Sequence, residues 1–312
     1  MPKLPTDEDR FRKLVWHGKL PIQISLAKED RAALLGRASP SSPPVYYVMA
    51  HRCSYLSLIT DDVKAWLEAL ERAAPDRPSS IKPTQVWYAF NGAPLKWHYP
   101  IGLLYDLHSI RHPPGTVSAK PICTTKLPWT ITVHLTNFPA DRLLRNPSRD
   151  TTHHYFMAQY KEAEFMRAGS TKRVMNLPRE DQDRLWAGLT TAEFETFWAV
   201  NHGAVNADDK DELPRHVAIR LYSRTDSAVV QVPLPLAELG SRTTVGEAIA
   251  YALRPEQFAT GHPPKFRPED ESDQDAPYMV VLHGIVVSST TPLLWLTRNL
   301  CYPDNFLHVV LL

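Results

Sequence analysis

The stretch that decides the fold is YPDNFLHVVLL, which runs from Tyr302 to Leu312. An aromatic residue followed by proline and aspartate favours a tight turn. The apolar run after it contains valines and a leucine pair, and β-branched and apolar residues in such a run favour a strand. The stretch therefore predicts a turn that leads into the strand closing a sheet.

The composition is that of a globular protein with more than one domain. The 312 residues suffice for two or three domains, and 43% of them are hydrophobic against 22% charged. Lys and Arg (35) nearly balance Asp and Glu (34), so no basic field attracts nucleic acid or holds the chain on an anionic membrane. We expect no nucleic-acid partner.

The sequence contains no feature of a secreted or membrane-spanning chain. The start, MPKLPTDEDR, is charged and has no apolar run behind it. No stretch approaches the roughly 18 apolar residues that a membrane span requires. Three scattered cysteines do not form a disulfide framework. These observations predict a cytoplasmic protein.

Upstream of the opening stretch, the order of predicted elements is strand, strand, helix, strand and strand. The helix begins at Thr244, which forms a capping box with Glu247. The same order occurs earlier in the chain, where the helix is predicted to begin at Thr60 and a strand ends in the turn Asn91-Gly92. The predicted strands are 15–26, 45–51, 85–92 and 129–135 in the first group, and 216–222, 229–234, 280–284 and 306–312 in the second.

A short motif supports a duplication. NGAPLKW (91–97) and STTPLLW (289–295) share a Pro-Leu-x-Trp in similar contexts. We therefore predict two copies of one fold, with Trp97 and Trp295 buried at equivalent places.

Between the two copies lies a helix-rich segment. One helix is predicted to begin at Ser148 or Asp150 and to stop at Gly169, and a second to begin at Pro178. A third is predicted from a capping box of Thr190 and Glu193 to Gly203. The expected shared core of this bundle is aromatic: Trp186, Phe194, Phe197 and Trp198.

Candidate catalytic and metal-binding groups are sparse. Cys301 and His308 raise the possibility of a thiol hydrolase, but a cysteine within a small sheet is usually core filler. The adjacent His153 and His154 point about 100° apart on a helix and cannot share a metal ion as an i, i+4 pair would. We expect no metal site, no cofactor and no self-sufficient active site.

Lys161 differs from an ordinary surface lysine. If Phe156 marks the centre of the buried stripe, Lys161 is rotated about 140° from it and is expected in solvent. Its neighbours one turn away are Met157 and Phe165, which are unusually apolar for an exposed position. The alternative, a solubilising lysine without a specific role, stays open at this point.

Several long stretches together resemble the autophagy protein 5 family, in order and over nearly the entire chain. The most specific are APLKWHYPIGLL and YPDNFLH; the others are VWHGKLPIQISL, LPWTITVHL, FMAQYKEAE, LWAGL and FWAVN. The resemblance implies an α+β fold of two ubiquitin-like β-grasp domains flanking a helix-rich three-helix domain. The corresponding segments here are 11–140, 147–205 and 214–312.

The resemblance implies that one lysine accepts the C-terminal glycine of the ubiquitin-like modifier autophagy protein 12. The family's acceptor lies in the segment FMAQYKEAE, which assigns the role to Lys161 and a docking surface to Met157 and Phe165. Dedicated activating and conjugating enzymes make the isopeptide bond. Because the chain lacks a Gly-Gly ending, we expect it to be the acceptor and not the donor in this ligation.

The resemblance further implies a scaffold without catalytic residues of its own. The conjugate, with a helix of autophagy protein 16 held in a groove, is expected to promote transfer of autophagy protein 8 to phosphatidylethanolamine at the phagophore membrane. The different-class alternative is a ubiquitin-like adaptor that binds partners without conjugation. Five residues of the family motifs are expected to be structural: Trp97, Tyr99, Trp295, Tyr302 and Pro303.

Overall fold

The computed structural model describes residues 6–35, 43–73, 86–111, 122–123, 126–145, 148–205, 214–223, 229–253 and 278–312. The chain divides into two compact units. The first-sheet unit comprises Gly18–His108 and Thr125–Tyr155, and the second-sheet unit comprises Met1–His17, Ser109–Thr124 and Phe156–Leu312. The predicted surface loops at 74–83 and 267–277 lie outside the described residues.

The first sheet has five strands in the order β2-β1-β7-β3-β4. β1 and β7 run parallel, and the other neighbours are antiparallel. The strands of this part of the chain are β1 (Lys19–Leu26), β2 (Val45–His51), β3 (Trp87–Phe90), β4 (Ala93–Pro94) and β7 (Trp129–His134), and a separate pair is formed by β5 (Ile110–Arg111) and β6 (Ile122–Cys123).

The core of the first-sheet unit lies between this sheet and a helix. Alternate residues of β1 are buried, which is the pattern of a strand with one covered face. They pack in one cluster with Val63 and Leu67 of α3. The helices of this region are α2 (Lys28–Leu35), α3 (Leu56–Ala73) and α4 (Ile101–Ser109). The predicted start of α3 at Thr60 was wrong, because the Thr60 hydroxyl donates to the Leu56 carbonyl within the helix.

The second sheet repeats the arrangement of the first. Its five strands have the order β11-β10-β12-β8-β9, and β12 is parallel to β8. The elements are β8 (His216–Ser223), β9 (Val229–Pro235), β10 (Val280–Leu282), β11 (Ile285–Val287) and β12 (Leu307–Leu311), with α9 (Leu236–Leu239), α10 (Val245–Leu253) and α11 (Leu293–Asn299). The predicted capping box of α10 is present, since the Thr244 amide donates to Glu247 at 2.8 Å.

The opening stretch forms the turn and strand that it predicts. Asn305 adopts a positive φ of 64° in the turn. β12 then lies between β8 and β10, and every residue of it from Leu307 to Leu311 is buried. The apolar character of this strand thus reflects a central position in the sheet.

The two copies are confirmed by the strand orders, but the motif that suggested them is out of register. Pro292 forms an isolated bridge with Thr244 ahead of α10, and the residue that does the same ahead of α3 is Pro100, which pairs with Tyr55. The Leu293 amide donates to the Thr243 carbonyl at 2.8 Å, as the Ile101 amide does to Ser54. Therefore TPLLW corresponds to YPIGL (99–103), and its likeness to APLKW is coincidental.

The helix-rich segment contains four helices. These are α5 (Arg149–Ala168), α6 (Lys172–Met175), α7 (Arg179–Thr191) and α8 (Phe194–Val205). The predicted capping box at Thr190 was wrong, because α7 includes Thr190 and ends in a left-handed residue, Ala192. Gly203 does not stop α8, which continues to Val205.

A helix at the start of the chain completes the aromatic core of the bundle. Residues 15–16, predicted as strand, end α1 (Asp7–Trp16). The Trp16 ring lies 4.8 Å from that of Phe197, and its Nε1 donates to the Ala192 carbonyl at 2.9 Å. Phe197 itself is fully buried, so Trp16 packs against the buried centre of the bundle.

Gly188 permits the close approach of α7 and α8. A Cβ atom at this position would lie 2.7 Å from the Phe197 amide nitrogen and 2.9 Å from its Cα, both of which are backbone atoms that cannot rotate away. We expect Gly188→Ala to lower the free energy of unfolding by about 1–3 kcal/mol through overpacking, despite the better helix propensity of Ala. Urea unfolding measures this change, and Gly203→Ala, where a Cβ meets nothing within 4 Å, is the matched control.

Candidate functional site

The candidate site lies on α5, the longest described helix. Its ends agree with the sequence prediction: the Ser148 hydroxyl accepts from the Thr151 amide at 3.3 Å, and Gly169 follows the last turn with a φ of 69°. Phe156, Tyr160 and Ala163 are fully buried. These residues fix the rotation of the helix, and hence the direction in which Lys161 projects.

Lys161 lies at the border of the buried face and is partly exposed. Phe165, one turn after it, is 56% exposed. Met157, one turn before it, is only 7% exposed, so its expected part in an exposed docking surface is corrected. The buried arc is wider than the sequence suggested because Glu164 is also buried, facing Arg173 across 3.9 Å.

The helix turn that carries Lys161 is held by polar contacts to the rest of the second-sheet unit. Glu162 accepts from Arg220 of β8 at 3.1 Å and from Gln231 of β9 at 2.7 Å. The Tyr160 hydroxyl donates to Asn201 of α8 at 2.8 Å. Residues on both sides of Lys161 are therefore anchored, while the Lys161 side chain makes no hydrogen bond or ion pair within the part of the chain that the structure describes.

An apolar contact beneath this turn joins it to the second sheet. Ala163 packs in one cluster with Ala218 of β8 and Phe306, which precedes β12. The Arg220 guanidinium lies 3.6 Å from the centre of the Phe306 ring, a distance suited to a cation–π contact. Arg220 therefore contacts both Glu162 of α5 and Phe306, the residue directly before β12.

A buried polar cluster next to Phe306 fixes the turn at the start of the stretch Tyr302–Leu312. The two ring nitrogens of His308 contact the Tyr222 hydroxyl at 2.7 Å and the Asp304 carboxylate at 2.9 Å. Asp304 also accepts from the Phe306 amide at 3.1 Å. Burial alone would raise the pKa of Asp304, but the charge and hydrogen bond of His308, with Arg220, hold it below its ordinary value.

Asp304→Asn is expected to destabilise the chain by about 2–3 kcal/mol at neutral pH, because it removes a charge-assisted bond from a buried cluster. The folded pKa of Asp304 lies below the unfolded value of 3.8, so its contribution is present above that value and is lost as the pH falls further. Unfolding measured at pH 7 and near pH 3 should show the difference from wild type shrinking in acid. A difference independent of pH would contradict this account. Exposed Asp141 supplies the control as Asp141→Asn.

The geometry argues against a thiol hydrolase. Both ring nitrogens of His308 are engaged by Tyr222 and Asp304, so neither is available to accept the Cys301 proton as a general base would. Burial raises the pKa of the Cys301 thiol to about 12. Because the thiolate is the nucleophile, this shift disfavours Cys301 as a nucleophile at neutral pH.

The residues of the family motifs occupy both units. In the first-sheet unit, Trp97 is 9% exposed and Tyr99 packs partly buried against the core. In the second-sheet unit, Trp295 is partly buried, whereas Tyr302 and Pro303 are buried within the closing turn. Tyr302 stacks on His283 with ring centroids 3.9 Å apart.

Family models cover three consecutive parts of the chain. The UblA domain of autophagy protein ATG5 matches residues 15–135, its alpha-helical bundle region matches 149–205, and its UblB domain matches 216–311. Autophagy protein 5 of Phaeosphaeria nodorum is 31% identical over 324 residues, covering 97% of this chain and 96% of that relative. This chain belongs to the autophagy protein 5 family.

Other members of the autophagy protein 5 family agree with this assignment. The protein from Drosophila melanogaster is 28% identical over 298 residues, covering 95% of this chain and 94% of the relative. The crystal structure of Kluyveromyces marxianus Atg5 has the same fold, with a TM-score of 0.70 at 20% identity over 97% of this chain and 99% of that one. Membership in the family gives the chain a role in autophagy.

Among the described residues, no group of three His, Cys, Asp or Glu side chains is placed to hold a metal ion. None of the described helices combines the length and hydropathy needed to cross a bilayer.

The contacts of Glu162 were missed by the sequence reasoning. Glu162 and Arg220 are 58 positions apart, and neither segment identifies the other as its partner. The one available signal was Arg220 itself, a charged residue within the alternating strand HVAIRLY. Because an arginine side chain is rarely buried without a partner, covering this face of the strand requires a partner for Arg220.

Proposed function

We propose that Lys161 accepts the ubiquitin-like modifier autophagy protein 12, and that the chain serves as the scaffold of the resulting conjugate. The observation that carries the proposal is the unengaged Lys161 on a helix turn whose neighbouring residues, Tyr160 and Glu162, are anchored. The family resemblance of FMAQYKEAE supports the same residue.

An acceptor lysine needs access and placement more than altered chemistry. The Lys161 Nζ attacks the thioester carbonyl that joins the modifier's C-terminal glycine to the conjugating enzyme. The C–S bond breaks, the enzyme's thiol leaves, and an isopeptide C–N bond forms. Because lysine is protonated at neutral pH, the conjugating enzyme must help to remove the proton before attack.

The surface beside Lys161 favours docking of a protein. Phe165 lies one turn away and is 56% exposed, which is unusual for a large aromatic side chain. An anchored helix turn holds Phe165 and Lys161 at a fixed spacing, so an enzyme bound at Phe165 would meet the amine in a constant position. In this proposal the chain contributes the fixed placement of the amine, and the conjugating enzyme contributes the catalytic groups.

In the proposed role the conjugate binds a helix of autophagy protein 16 and activates the conjugating enzyme that transfers autophagy protein 8 to phosphatidylethanolamine. The chain itself is not the enzyme. Association with the phagophore membrane is then peripheral and depends on the complex. The two ubiquitin-like domains act as the scaffold, and the buried central strand of each sheet belongs to its core.

Mass spectrometry of the chain purified from cells tests the proposal. The expected result is a population heavier by one modifier, with the remnant of its C-terminal glycine on the peptide that contains Lys161. A chain of unmodified mass would assign it instead to the adaptor class, which binds partners without conjugation. A remnant on another lysine would reject Lys161 and keep the acceptor role.

A further inference from the structure

The outer edge of the first sheet is formed by β2, which pairs with β1 on one side. Among the described strands, none pairs with its other side. β2 has seven residues, VYYVMAH, and none of them is Pro, Asp, Glu, Lys or Arg. Sheet edges are normally protected by such residues or by being short. Among the described residues, β2 therefore has none of these protections.

The other edges of the two sheets show the protection that β2 lacks. β9, which has the corresponding place in the second sheet, contains Pro233 and Pro235, and its Gln231 side chain is bonded to Glu162. β4 has only two residues, one of them Pro94, and β11 has three. Among the described edge strands, β2 alone is longer than three residues and contains no proline.

The direction of the free backbone groups follows from the pairing with β1. The Arg52 amide donates to the Gly18 carbonyl at 2.9 Å, which makes these two residues a hydrogen-bonded pair. Because such pairs alternate along an antiparallel ladder, Ala50, Val48 and Tyr46 also bond to β1. The N–H and C=O groups of Tyr47 and Met49 consequently point outward from the sheet. Pro21, opposite Met49, has no N–H to offer and fits this alternation.

Both faces of the edge present apolar side chains. Tyr47 is 61% exposed and Met49 is 57% exposed on one face. On the other face Tyr46 and Val48 are partly buried beside α3, where the ring of Tyr46 lies 5.7 Å from that of Trp66. The partly buried residues form a seam between the edge strand and the helix. An added strand would cover apolar groups on both of its faces.

The seam carries a negative charge. Asp62 lies one turn before Trp66 on α3, is exposed, and has no ion-pair partner among the described residues. The Tyr46 ring packs against Trp66, which lies on the same face of α3 as Asp62. Burial raises the pKa of the Tyr46 phenol, and the charge of Asp62 adds to this effect. Asp61, the preceding residue, projects from the opposite flank of α3 and faces Lys64 at 4.0 Å. Charge complementarity therefore favours a basic group over the seam.

We propose that β2 and the adjoining flank of α3 bind an extended peptide segment of a partner protein as an added strand. The peptide carries apolar side chains at alternate positions, and a lysine or arginine opposite Asp62. Backbone bonds to Tyr47 and Met49 supply the affinity, and the seam with Asp62 supplies the selectivity. This surface belongs to the first-sheet unit and does not depend on modification of Lys161.

The test uses a phage-displayed library of random twelve-residue peptides, selected on the full chain and counter-selected on Met49→Pro. Proline at position 49 removes an outward N–H while the ladder to β1 keeps its bonds. Enriched peptides are then synthesised and their affinity is measured by fluorescence anisotropy. Asp62→Lys tests the charge, and Asp61→Lys on the opposite flank is its matched control.

We expect enriched peptides with alternating apolar residues and a basic residue. Their affinity should fall about tenfold on Met49→Pro, in line with the loss of one hydrogen bond, and up to about fivefold on Asp62→Lys. Asp61→Lys should leave the affinity unchanged. The proposal is overturned if nothing is enriched, if Asp62→Lys and Asp61→Lys behave alike, or if the edge instead joins a second copy of the chain, detected as a dimer that Met49→Pro dissociates.

Discussion

Lys161→Arg is expected to abolish the heavier, conjugated form of the chain in cells while leaving the fold intact. Arginine keeps the positive charge and the apolar stem, so the packing at the border of the buried face of α5 persists. Its guanidinium stays protonated and is a poor nucleophile, so it cannot attack a thioester. The stability change should stay within about 0.5 kcal/mol, as for a partly exposed position without polar partners.

The readout is the ratio of conjugated to free chain, together with a melting curve for each variant. Lys172→Arg, an exposed lysine on the neighbouring helix α6, is the matched control and should conjugate as the wild type does. Conjugation that continues unchanged in Lys161→Arg would refute the assignment of the acceptor. Loss of conjugation in both variants would point to a general defect of the surface rather than to one amine.

Trp97→Ala is expected to lower the free energy of unfolding by about 3–5 kcal/mol, the range for truncating a buried aromatic side chain. Trp97 is 9% exposed and contacts the ring of Tyr155 at 5.5 Å. Its Nε1 donates to the Leu144 carbonyl at 2.7 Å, so truncation also leaves that carbonyl without its partner. Trp97→Phe, which retains most of the volume, should cost about 1 kcal/mol from the lost hydrogen bond.

Trp295→Ala is the informative comparison. The sequence motif placed both tryptophans at equivalent sites, which would make their costs similar. Trp295 is instead only partly buried and contacts Phe11 of α1 at 5.2 Å, so we expect about 1–2 kcal/mol. Equal losses of unfolding free energy in the two variants, measured with denaturant, would contradict this difference between the two tryptophans.

Most of the sheet could be predicted because its signals are local. The Asn91-Gly92 turn has two positive φ angles, 48° and 78°, which few other residue pairs adopt. The strand at 45–51 and the closing strand were recognisable from β-branched and aromatic content. No helix was predicted over residues 7–16, and Val15 and Trp16 were expected in a strand from their composition. In the structure the burial of Trp16 against Phe197 outweighs that propensity.

The candidate site was predicted less completely than the fold. Periodicity gave the correct centre of the buried face of α5, since Phe156, Tyr160 and Ala163 are all fully buried. Periodicity did not give the width of the buried face, so the Met157 side chain was expected to be exposed. The width depends on what packs beside the helix, which a single helical wheel does not contain.

The sequence by itself determined the two ubiquitin-like sheets, the helix-rich segment and the membership in the autophagy protein 5 family, because turns, strand composition and long motifs are read from neighbouring residues. Only the tertiary structure decided the register between the two copies, the engagement of His308, and the anchoring of the turn that carries Lys161. Each of these depends on a contact between distant segments, such as Glu162 with Arg220, 58 positions apart. A side chain's partners are set by the packing of whole elements, and local composition carries no record of them.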